Sequence, residues 1–300
     1  MIWNEAFIER GGVRLRHSSP LENYVFSKPY FDPEGLIVAQ DDDTFAGFIH
    51  AGFGPNETQT GLSRDTGIIS ILGVRPAYRG RGIGTGLLEQ AESYLRDRGA
   101  TTICAGPMSP FTPFYFGLYG GSEMPGFLTS DSSTDPFFKR HGYEVFRTAH
   151  VFQRFLNQPI NLPDPRFPLL RRRFDVRIVP RSGAGTWWQE AVLGPIEMVD
   201  FRLEEKNTGH VVAHTSVWEM DGFSWRWNQP AVGILETEVR EELRRQGMAK
   251  YLLAQVLRYL QEQFFGLAEV HAPDDASAAT KLYESLGFEK VDTGHLYKKI

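Results

Sequence analysis

Two stretches of the chain change from the apolar pattern of a β-strand to that of an α-helix. Residues 67–74 and 231–239 are apolar runs typical of buried strands, and a short charged loop follows each of them. Behind the loops, residues 85–99 and 250–265 repeat apolar side chains at spacings of three and four, which is typical of a half-buried helix. The pattern therefore predicts a strand, a loop and a helix in succession, twice in one chain.

The two loops have the same sequence pattern. Both read Arg-x-x-Gly-x-(Gly/Ala), filled by Arg79, Gly82 and Gly84 in the first loop and by Arg244, Gly247 and Ala249 in the second. Every landmark of the first copy recurs 165 positions later, from the strand through the loop to the leucines of the helix. A constant displacement of this kind indicates an internal repeat.

Each loop lies at a helix N-terminus, where an anion is the expected ligand. The first turn of a helix has backbone N–H groups without partners and carries partial positive charge. Glycines let a ligand approach the backbone, and arginines add charged donors. We therefore expect two pyrophosphate sites, formed by Arg79, Gly80, Arg81, Gly82, Ile83, Gly84 and Thr85 and by Arg244, Arg245, Gln246, Gly247, Met248, Ala249 and Lys250. The alternative is an ordinary helix start with solvated arginines.

Two other phosphate loops do not fit this pattern. Neither copy ends in the Gly-Lys-(Ser/Thr) of a P-loop, and neither has the full Gly-x-Gly-x-x-Gly with a later acidic residue. The loops instead resemble the acetyl coenzyme A loop of the GNAT superfamily of acyltransferases. The resemblance implies an α/β (α+β) chain of two tandem GNAT folds, each a mixed, mostly antiparallel sheet flanked by helices. It also implies acetyl-CoA as cosubstrate. In length and in its more complete second half the chain is similar to mycothiol synthases, but no residue identifies the acceptor.

A second correspondence lies near the end of each half. Residues 282–288 read Leu-Tyr-Glu-Ser-Leu-Gly-Phe and match the superfamily's Leu-Tyr-x-x-x-Gly-Phe segment, whereas residues 137–143 read Phe-Phe-Lys-Arg-His-Gly-Tyr. These segments are 145 rather than 165 positions apart, so the first half carries about 20 additional residues. The stretch 107–134, rich in Gly, Pro and aromatic residues, is the expected insertion and is called the inserted segment below.

The resemblance also implies where the acyl thioester binds. In the superfamily, the main chain at the end of the strand before the loop binds the pantetheine and the thioester carbonyl. Carried over residue by residue, this gives Leu72 and Val74 in the first half and Thr237 and Val239 in the second. Main-chain donors there would stabilise the oxyanion that forms when an amine attacks.

The catalytic residues implied by the resemblance lie in the second half. Tyr283 stands at the position of the superfamily's usual general acid, whereas the matching Phe138 has no proton to donate. Glu236 and Glu238 share one face of the second strand, and Glu236 is the preferred general base. In the alternative interpretation, Tyr283 only packs against the sheet and Glu236 only pairs with a neighbouring arginine.

The predicted organisation is an N-terminal GNAT domain of residues 1–158, a Pro-rich linker of residues 159–173 and a C-terminal GNAT domain of residues 174–300. Residues 143–156 and 288–298 are predicted to close the sheets of their own halves. The inserted segment is predicted to be an aromatic pad against the other half, or else the wall of an acceptor pocket in which Glu123 or Tyr119 serves the chemistry.

Composition and charge argue against several classes of partner. A net charge of −5 and the absence of a long basic run argue against a nucleic-acid surface, and no apolar run has the length of a membrane span. Cytoplasmic is the expected location. The single cysteine, Cys104, is expected to be a buried apolar residue, and no metal-ligand spacing occurs.

The sequence thus predicts an acetyl-CoA-dependent N-acetyltransferase acting on a primary amine of a small molecule, without nucleic-acid, membrane or metal partners. It does not assign an oligomeric state. Alternatives are transfer in the N-terminal domain, a non-catalytic acyl-CoA sensor, and an aminoacyl or peptidyl transferase of the same fold.

Overall fold

The structure is a computed structural model that describes residues 2–181, 183, 185–194 and 196–300. The described strands are β1 Leu36–Asp41, β2 Thr44–Pro55, β3 Leu62–Val74, β4 Thr102–Ala105, β5 Phe127–Leu128, β6 Tyr143–Phe155, β7 Phe174–Pro180, β8 Met198–Glu205, β9 Val211–Glu219, β10 Ala231–Val239, β11 Leu267–Pro273 and β12 Glu289–Lys299. The α-helices are α1 Ile2–Ala6, α2 Ser19–Leu21, α3 Ile83–Asp97, α4 Thr134–Arg140, α5 Phe167–Arg173, α6 Trp187–Leu193, α7 Asp221–Trp227, α8 Met248–Glu262 and α9 Ser277–Ser285. A π-helical turn spans Glu22–Phe26, and 3₁₀ turns span Pro33–Gly35, Pro76–Tyr78 and Glu241–Leu243.

The repeated strand, loop and helix are present in both halves. β3 leads through the first loop (residues 75–82) into α3, and β10 leads through the second loop (residues 240–247) into α8. Both helices begin two residues earlier than predicted, because Gly82 and Gly247 take the left-handed conformation and are themselves the N-caps. None of the described helices is long and apolar enough to cross a membrane.

All the described strands belong to one sheet, in which the two halves exchange their last strands. The order is β1-β2-β3-β4-β12-β6-β11-β10-β9-β8-β7, and β5 pairs with β12 outside this path. The last strand of the chain, β12, therefore lies between β4 and β6 of the first half, while β6 pairs with β11 of the second half. The expectation that residues 143–156 and 288–298 close the sheets of their own halves is wrong.

The contact between β6 and β12 carries an internal symmetry. Thr148 accepts or donates a hydrogen bond with His295 at 3.0 Å, and the reciprocal pair His150 and Thr293 is joined at 3.3 Å. Because each pair lies at directly opposed positions of the antiparallel ladder, the two strands are related by a local two-fold axis. The exchange thus joins equivalent strands of the repeat.

In both halves the parallel strand pair separates before the loop. The β3–β4 pairing ends at Ile69 and Ala105, although β3 continues to Val74. The β10–β11 pairing ends at Gly233 and Glu269, although β10 continues to Val239. A register shift in the neighbouring antiparallel pair accompanies each separation. Each half therefore opens a cleft beside the start of its loop helix.

The remaining segments pack against these cores. The aromatic side chains of the inserted segment are buried, except Phe111, which is half-buried, and Phe116 contacts Trp218 of the second half with ring centroids 5.6 Å apart. Cys104 is buried, as expected for a small apolar residue. Part of the predicted linker is helical, since α5 occupies residues 167–173 and buries Leu170 in the second core. The predicted domain boundaries stay a prediction.

The strand exchange predicts which half is destabilised by a substitution in β12. Tyr297 is 1% exposed and stacks on Phe138 of α4 at 5.2 Å, so Tyr297→Ala should leave a cavity in the first half and cost about 3 kcal/mol or more of unfolding free energy. Val291→Ala on the same strand, at a 42% exposed position, is the matched control and should cost less than about 1 kcal/mol.

Urea unfolding measures the free energies, and amide hydrogen exchange locates the change. We expect Tyr297→Ala to lower protection in α3 and β4 of the first half. Protection lost only in α8 and β11 would contradict the exchange.

Candidate functional site

The first loop presents free backbone at the start of a long helix. Gly80 and Gly82 have φ of +75° and +82°, and no atom lies within 4 Å of where a Cβ would stand on either residue. Arg79 donates hydrogen bonds from Nε to the Val74 carbonyl at 3.1 Å and from its terminal nitrogen to the Ala6 carbonyl at 3.2 Å. The arginine thus holds the loop in place, while the N–H groups of the first helical turn face an open space fit for a diphosphate.

The second loop has the same backbone geometry. Arg245 and Gly247, at the positions of Gly80 and Gly82, have φ of +64° and +89°. Arg244 donates from Nε to the Val239 carbonyl at 3.1 Å, which repeats the first loop's bond from Arg79 to the strand end. Arg245 keeps a left-handed conformation that costs a non-glycine residue about 1 kcal/mol. The fold therefore preserves the loop shape even where its glycine is absent.

The cleft of the first half contains a cavity of about 470 Å³. The end of β3 forms one wall, α4 forms another, and the N-terminal segment and the inserted segment complete the lining. The predicted cofactor residues in this lining are Leu72, Val74, Arg79, Gly80, Gly82, Gly84 and Thr85. The Thr85 hydroxyl also hydrogen-bonds His141 Nε2 at 3.0 Å, which ties α3 to α4. This cavity runs from the loop to the place where β3 and β4 separate.

The linker covers the second loop. The guanidinium of Arg166 lies against Gly247, with its Cζ 2.9 Å from where a Cβ would stand on the glycine. The carboxylate of Asp164 is 5% exposed, accepts hydrogen bonds from Arg166 at 2.8 and 2.6 Å, and lies 3.7 Å from Lys250 Nζ. Hydrogen bonds from Arg166, above all, hold the pKa of Asp164 well below its usual range. A carboxylate of the chain thus neutralises cations beside the second anion site.

The proposed general acid occupies the cleft of the second half. Tyr283 is buried, its ring packs against Phe152 and Phe288, and the side chain of Thr237 at the end of β10 lies near its phenol. Burial, and next the charge of Glu123, raise the pKa of Tyr283 well above its ordinary value, so the phenol keeps its proton. The equivalent Phe138 stacks between Phe127 and Tyr297 in the first core.

A second, smaller cavity of about 150 Å³ lies between the halves. Leu235 and Glu236 of β10 line it from the second half, together with Trp188 of α6, and Phe116 and Glu123 of the inserted segment line it from the first. It lies beside the part of β10 that has separated from β11. The inserted segment therefore packs against the second half and also lines a pocket there, whereas the two roles were expected as alternatives.

The predicted base, Glu236, lines this cavity in an unusual backbone conformation. Its φ is +51°, which is strained for a side chain with a Cβ, and it lies at the bulge of β10. Its carboxylate is bound by Arg181 through two nitrogens at 2.7 and 3.3 Å. The arginine pairing considered from the sequence is present, and it places a guanidinium at the cavity's edge.

A buried ion cluster behind this cavity was not predicted from the sequence. Glu269 of β11 is fully buried and accepts hydrogen bonds from Arg10, Gln153 and the backbone N–H of Ser122 at 2.6, 2.6 and 2.7 Å, with His271 at 3.2 Å. Burial alone would raise the pKa of Glu269, but these partners lower it, so the carboxylate stays charged. The residue 165 positions earlier is Cys104, and therefore the repeat gives no signal for Glu269.

The profile of the acetyltransferase (GNAT) family matches this chain over residues 3–110 and again over residues 182–288. The chain belongs to the acetyltransferase (GNAT) family. Each match includes one strand, loop and helix, so this acyltransferase is a tandem member, as the repeat predicted.

Sequence relatives of this acetyltransferase include two bacterial proteins named mycothiol acetyltransferase. The one from Rhodococcus erythropolis is 37% identical over 81 residues, covering 25% of each chain, and the one from Cellulomonas flavigena is 34% identical over 79 residues, covering 26% of this chain and 23% of the relative. The matches thus span only about a quarter of the relatives' length.

Solved structures share the fold over nearly the whole chain. A tandem GNAT protein from the clavulanic acid biosynthesis pathway superposes with a TM-score of 0.64 at 16% identity, covering 98% of this chain and 91% of that one. A GCN5-related glucosamine N-acetyltransferase region of a fungal β-N-acetylglucosaminidase superposes with a TM-score of 0.70 at 16% identity, covering 99% and 36%. Both support the tandem fold of this acetyltransferase.

The other predicted cofactor residues lie in the two loops or in the first turns of α3 and α8. Arg81 lies over the ring of Tyr78 at 5.1 Å, and Gln246 donates to the Glu242 carbonyl at 3.2 Å. Ile83 is half-buried and Met248 is buried against the second core, where Ala249 and Lys250 follow it in the same turn. In the part of the chain that the structure describes, no group of His, Cys, Asp and Glu has the arrangement of a metal site.

The linker geometry predicts that Asp164 weakens anion binding at the second loop. Asp164→Asn removes the charge that competes for Arg166 and Lys250, so the affinity of the second loop for acetyl-CoA should rise about fivefold. Calorimetry in a Gly82→Asp background, which blocks the first loop, measures the second loop alone.

The matched control is Asp175→Asn, which removes an exposed carboxylate paired with Lys206 in the same half and should leave the affinity unchanged. Equal affinities for Asp164→Asn and the unmodified loop would show that the linker carboxylate does not compete with the ligand.

Proposed function

We propose that this protein is an N-acetyltransferase that transfers an acetyl group from acetyl-CoA to a primary amine of a small molecule, with the chemistry in its second half. The observation that carries the proposal is the buried phenol of Tyr283, which lies near the side chain of Thr237 at the end of the strand that precedes the second loop. The mycothiol acetyltransferase relatives, by their name, and the glucosamine N-acetyltransferase region, by its description, are consistent with a small amine acceptor.

The residues of the second half divide the chemistry between them. The end of β10, including Thr237 and Val239, would bind the thioester arm, and the second loop would bind the diphosphate. Tyr283 would donate a proton to the departing thiolate, since its pKa keeps the phenol protonated. Glu236 is the predicted base, and its place in the 150 Å³ cavity puts a carboxylate beside the acceptor.

The acidic lining of this cavity favours a cationic acceptor. Its two carboxylates, Glu123 and Glu236, lie among apolar side chains such as Trp188 and Leu235. A small ammonium with an apolar body would match both features, because the charge is neutralised while the body displaces water.

In this proposal the first half binds acetyl-CoA without transferring the acetyl group. Its loop and cavity fit the cosubstrate, but Phe138 and Ile71 stand where the second half has Tyr283 and Glu236. A specific observation favours the alternative that transfer occurs in the first half: its cleft is open, whereas the linker covers the second loop.

A matched pair of loop variants separates these alternatives. Gly82→Asp and Gly247→Asp each place a carboxylate at the equivalent anion site, and Asp is among the residues that best tolerate a positive φ. If transfer occurs in the second half, Gly247→Asp should lower kcat/KM for a panel of primary amines by about 100-fold or more, and Gly82→Asp should leave it nearly unchanged.

The measurement is thiol release with and without amine, and calorimetry checks that each variant loses one acetyl-CoA site. The opposite pattern would assign the transfer to the first half. Binding of acetyl-CoA without thiol release for any amine would instead favour a sensor.

Removing the phenol hydroxyl tests the acid directly. Tyr283→Phe should lower kcat by about 100-fold across the pH range with little change in acetyl-CoA affinity, because a proton donor is lost while the ring still packs. Tyr259→Phe, in α8 of the same half, is the control and should keep full activity. Unchanged turnover of Tyr283→Phe over a wide pH range would remove Tyr283 from the mechanism.

A further inference from the structure

The inserted segment of the first half is hydrogen-bonded to the second half through its Gly120–Glu123 turn. Ser122 donates its backbone N–H to Glu269 at 2.7 Å and accepts a hydrogen bond from the Trp218 indole at 3.1 Å. A Cβ on Gly121, whose φ is +109°, would overlap the Glu269 carboxylate, so the turn requires glycine there. The turn is therefore fixed relative to β9 and β11.

Gly233 of β10 allows the turn to come close. A Cβ on Gly233 would lie 2.9 Å from Cβ of Ser122, and so only the bare backbone leaves room for the inserted segment. The residue after Ser122 is Glu123, and the close contact between Ser122 and Gly233 places Glu123 at the cavity beside Leu235 and Glu236. Its position follows from the packing of two halves and not from either half alone.

Glu123 and Glu236 differ in their partners. Glu236 is bound by Arg181, whereas within the described residues the carboxyl of Glu123 has neither a hydrogen bond nor an ion pair. Burial, together with the charge of Glu236, raises the pKa of Glu123 above its ordinary value, although His271 opposes the shift. A carboxylate that no hydrogen bond or ion pair occupies, and whose pKa is raised, accepts a proton more readily than one held by an arginine.

We propose that Glu123, contributed by the first half, is the catalytic base of the second half's acetyl transfer. The inference rests on the proposed function and replaces Glu236 as the base, while Glu236 with Arg181 orients the acceptor. Tyr283 belongs to α9 of the second half, and its phenol lies near enough to Glu123 to feel that residue's charge, so the proposed base and acid belong to different halves of the chain.

The proton and electron balance of the step is as follows. The Glu123 carboxylate takes one proton from the acceptor ammonium, and the freed nitrogen lone pair forms the C–N bond to the thioester carbonyl. The C–S bond breaks, its electron pair leaves with sulfur, and the thiolate takes a proton through Tyr283. The nitrogen loses its second proton to restore the phenol, and Glu123 releases its proton to solvent.

The test compares Glu123→Gln with Glu236→Gln. Glu123→Gln keeps the shape but removes the base, so kcat/KM at pH 7 should fall about 100-fold, and the loss should shrink as the pH rises through the pKa of the acceptor amine. Glu123→Asp should recover part of the rate. Calorimetry should find acetyl-CoA binding at both loops unchanged, which excludes a folding defect.

Glu236→Gln should raise KM more than it lowers kcat. An unchanged kcat/KM with an unchanged pH profile in Glu123→Gln would overturn the assignment. Loss of the acidic limb of the pH profile, which reports the base, only in Glu236→Gln would overturn it as well.

If no amine in the panel is acetylated, the proposed function is overturned. A second measurement then still tests whether Glu123 can act as a base. In protein carrying ¹³C-labelled glutamate, the carboxyl signal absent from Glu123→Gln belongs to Glu123. A titration midpoint above the ordinary value of 4.5 supports a poised base. A midpoint at or below 4.5 overturns it.

Discussion

A buried carboxylate, Glu269, sets the geometry on which the candidate site depends. A charge in the interior is tolerated only when its lone pairs are satisfied, and here the donors come from the N-terminal segment, the inserted segment, β6 and β11. Because these segments are distant in sequence, one side chain joins both halves of the molecule. The same bonds hold the turn that presents Glu123, and hence the packing of the halves positions the proposed base.

The two copies of the repeat have kept different parts of one machinery. The first half has an accessible loop and a cavity beside it, but Phe138 stands where the second half has Tyr283, the proposed proton donor. The second half has the phenol and the carboxylates, but its linker lies against Gly247. Loop shape has persisted in both, since Arg79 and Arg244 make the same bond to the strand end. The two halves thus share the backbone geometry of the loop but differ in the side chains of the candidate site.

The sequence predicted the local elements well because their signals are local. Glycine spacing and apolar period identified both loops and their helices. Strand pairing between distant segments leaves no such signal: β6 and β12 have the same pattern whichever β-strand they join, so the exchange was missed. The roles of Asp164, Glu269 and Glu123 likewise depend on contacts between segments far apart in the chain, and the short helix α7 lacked a strong start signal.

The placement of β12 has an evolutionary meaning. In one half alone, the terminal strand would not pair within its own sheet, and the position beside the parallel strand pair would stay empty. Two copies could each place their terminal strand in the sheet of the other, around the two-fold axis between β6 and β12. Such an arrangement is a strand-swapped homodimer. Gene duplication and fusion of such an ancestor yields the present topology without any rearrangement. The connecting segment would then be a new piece of chain, free to acquire functions of its own.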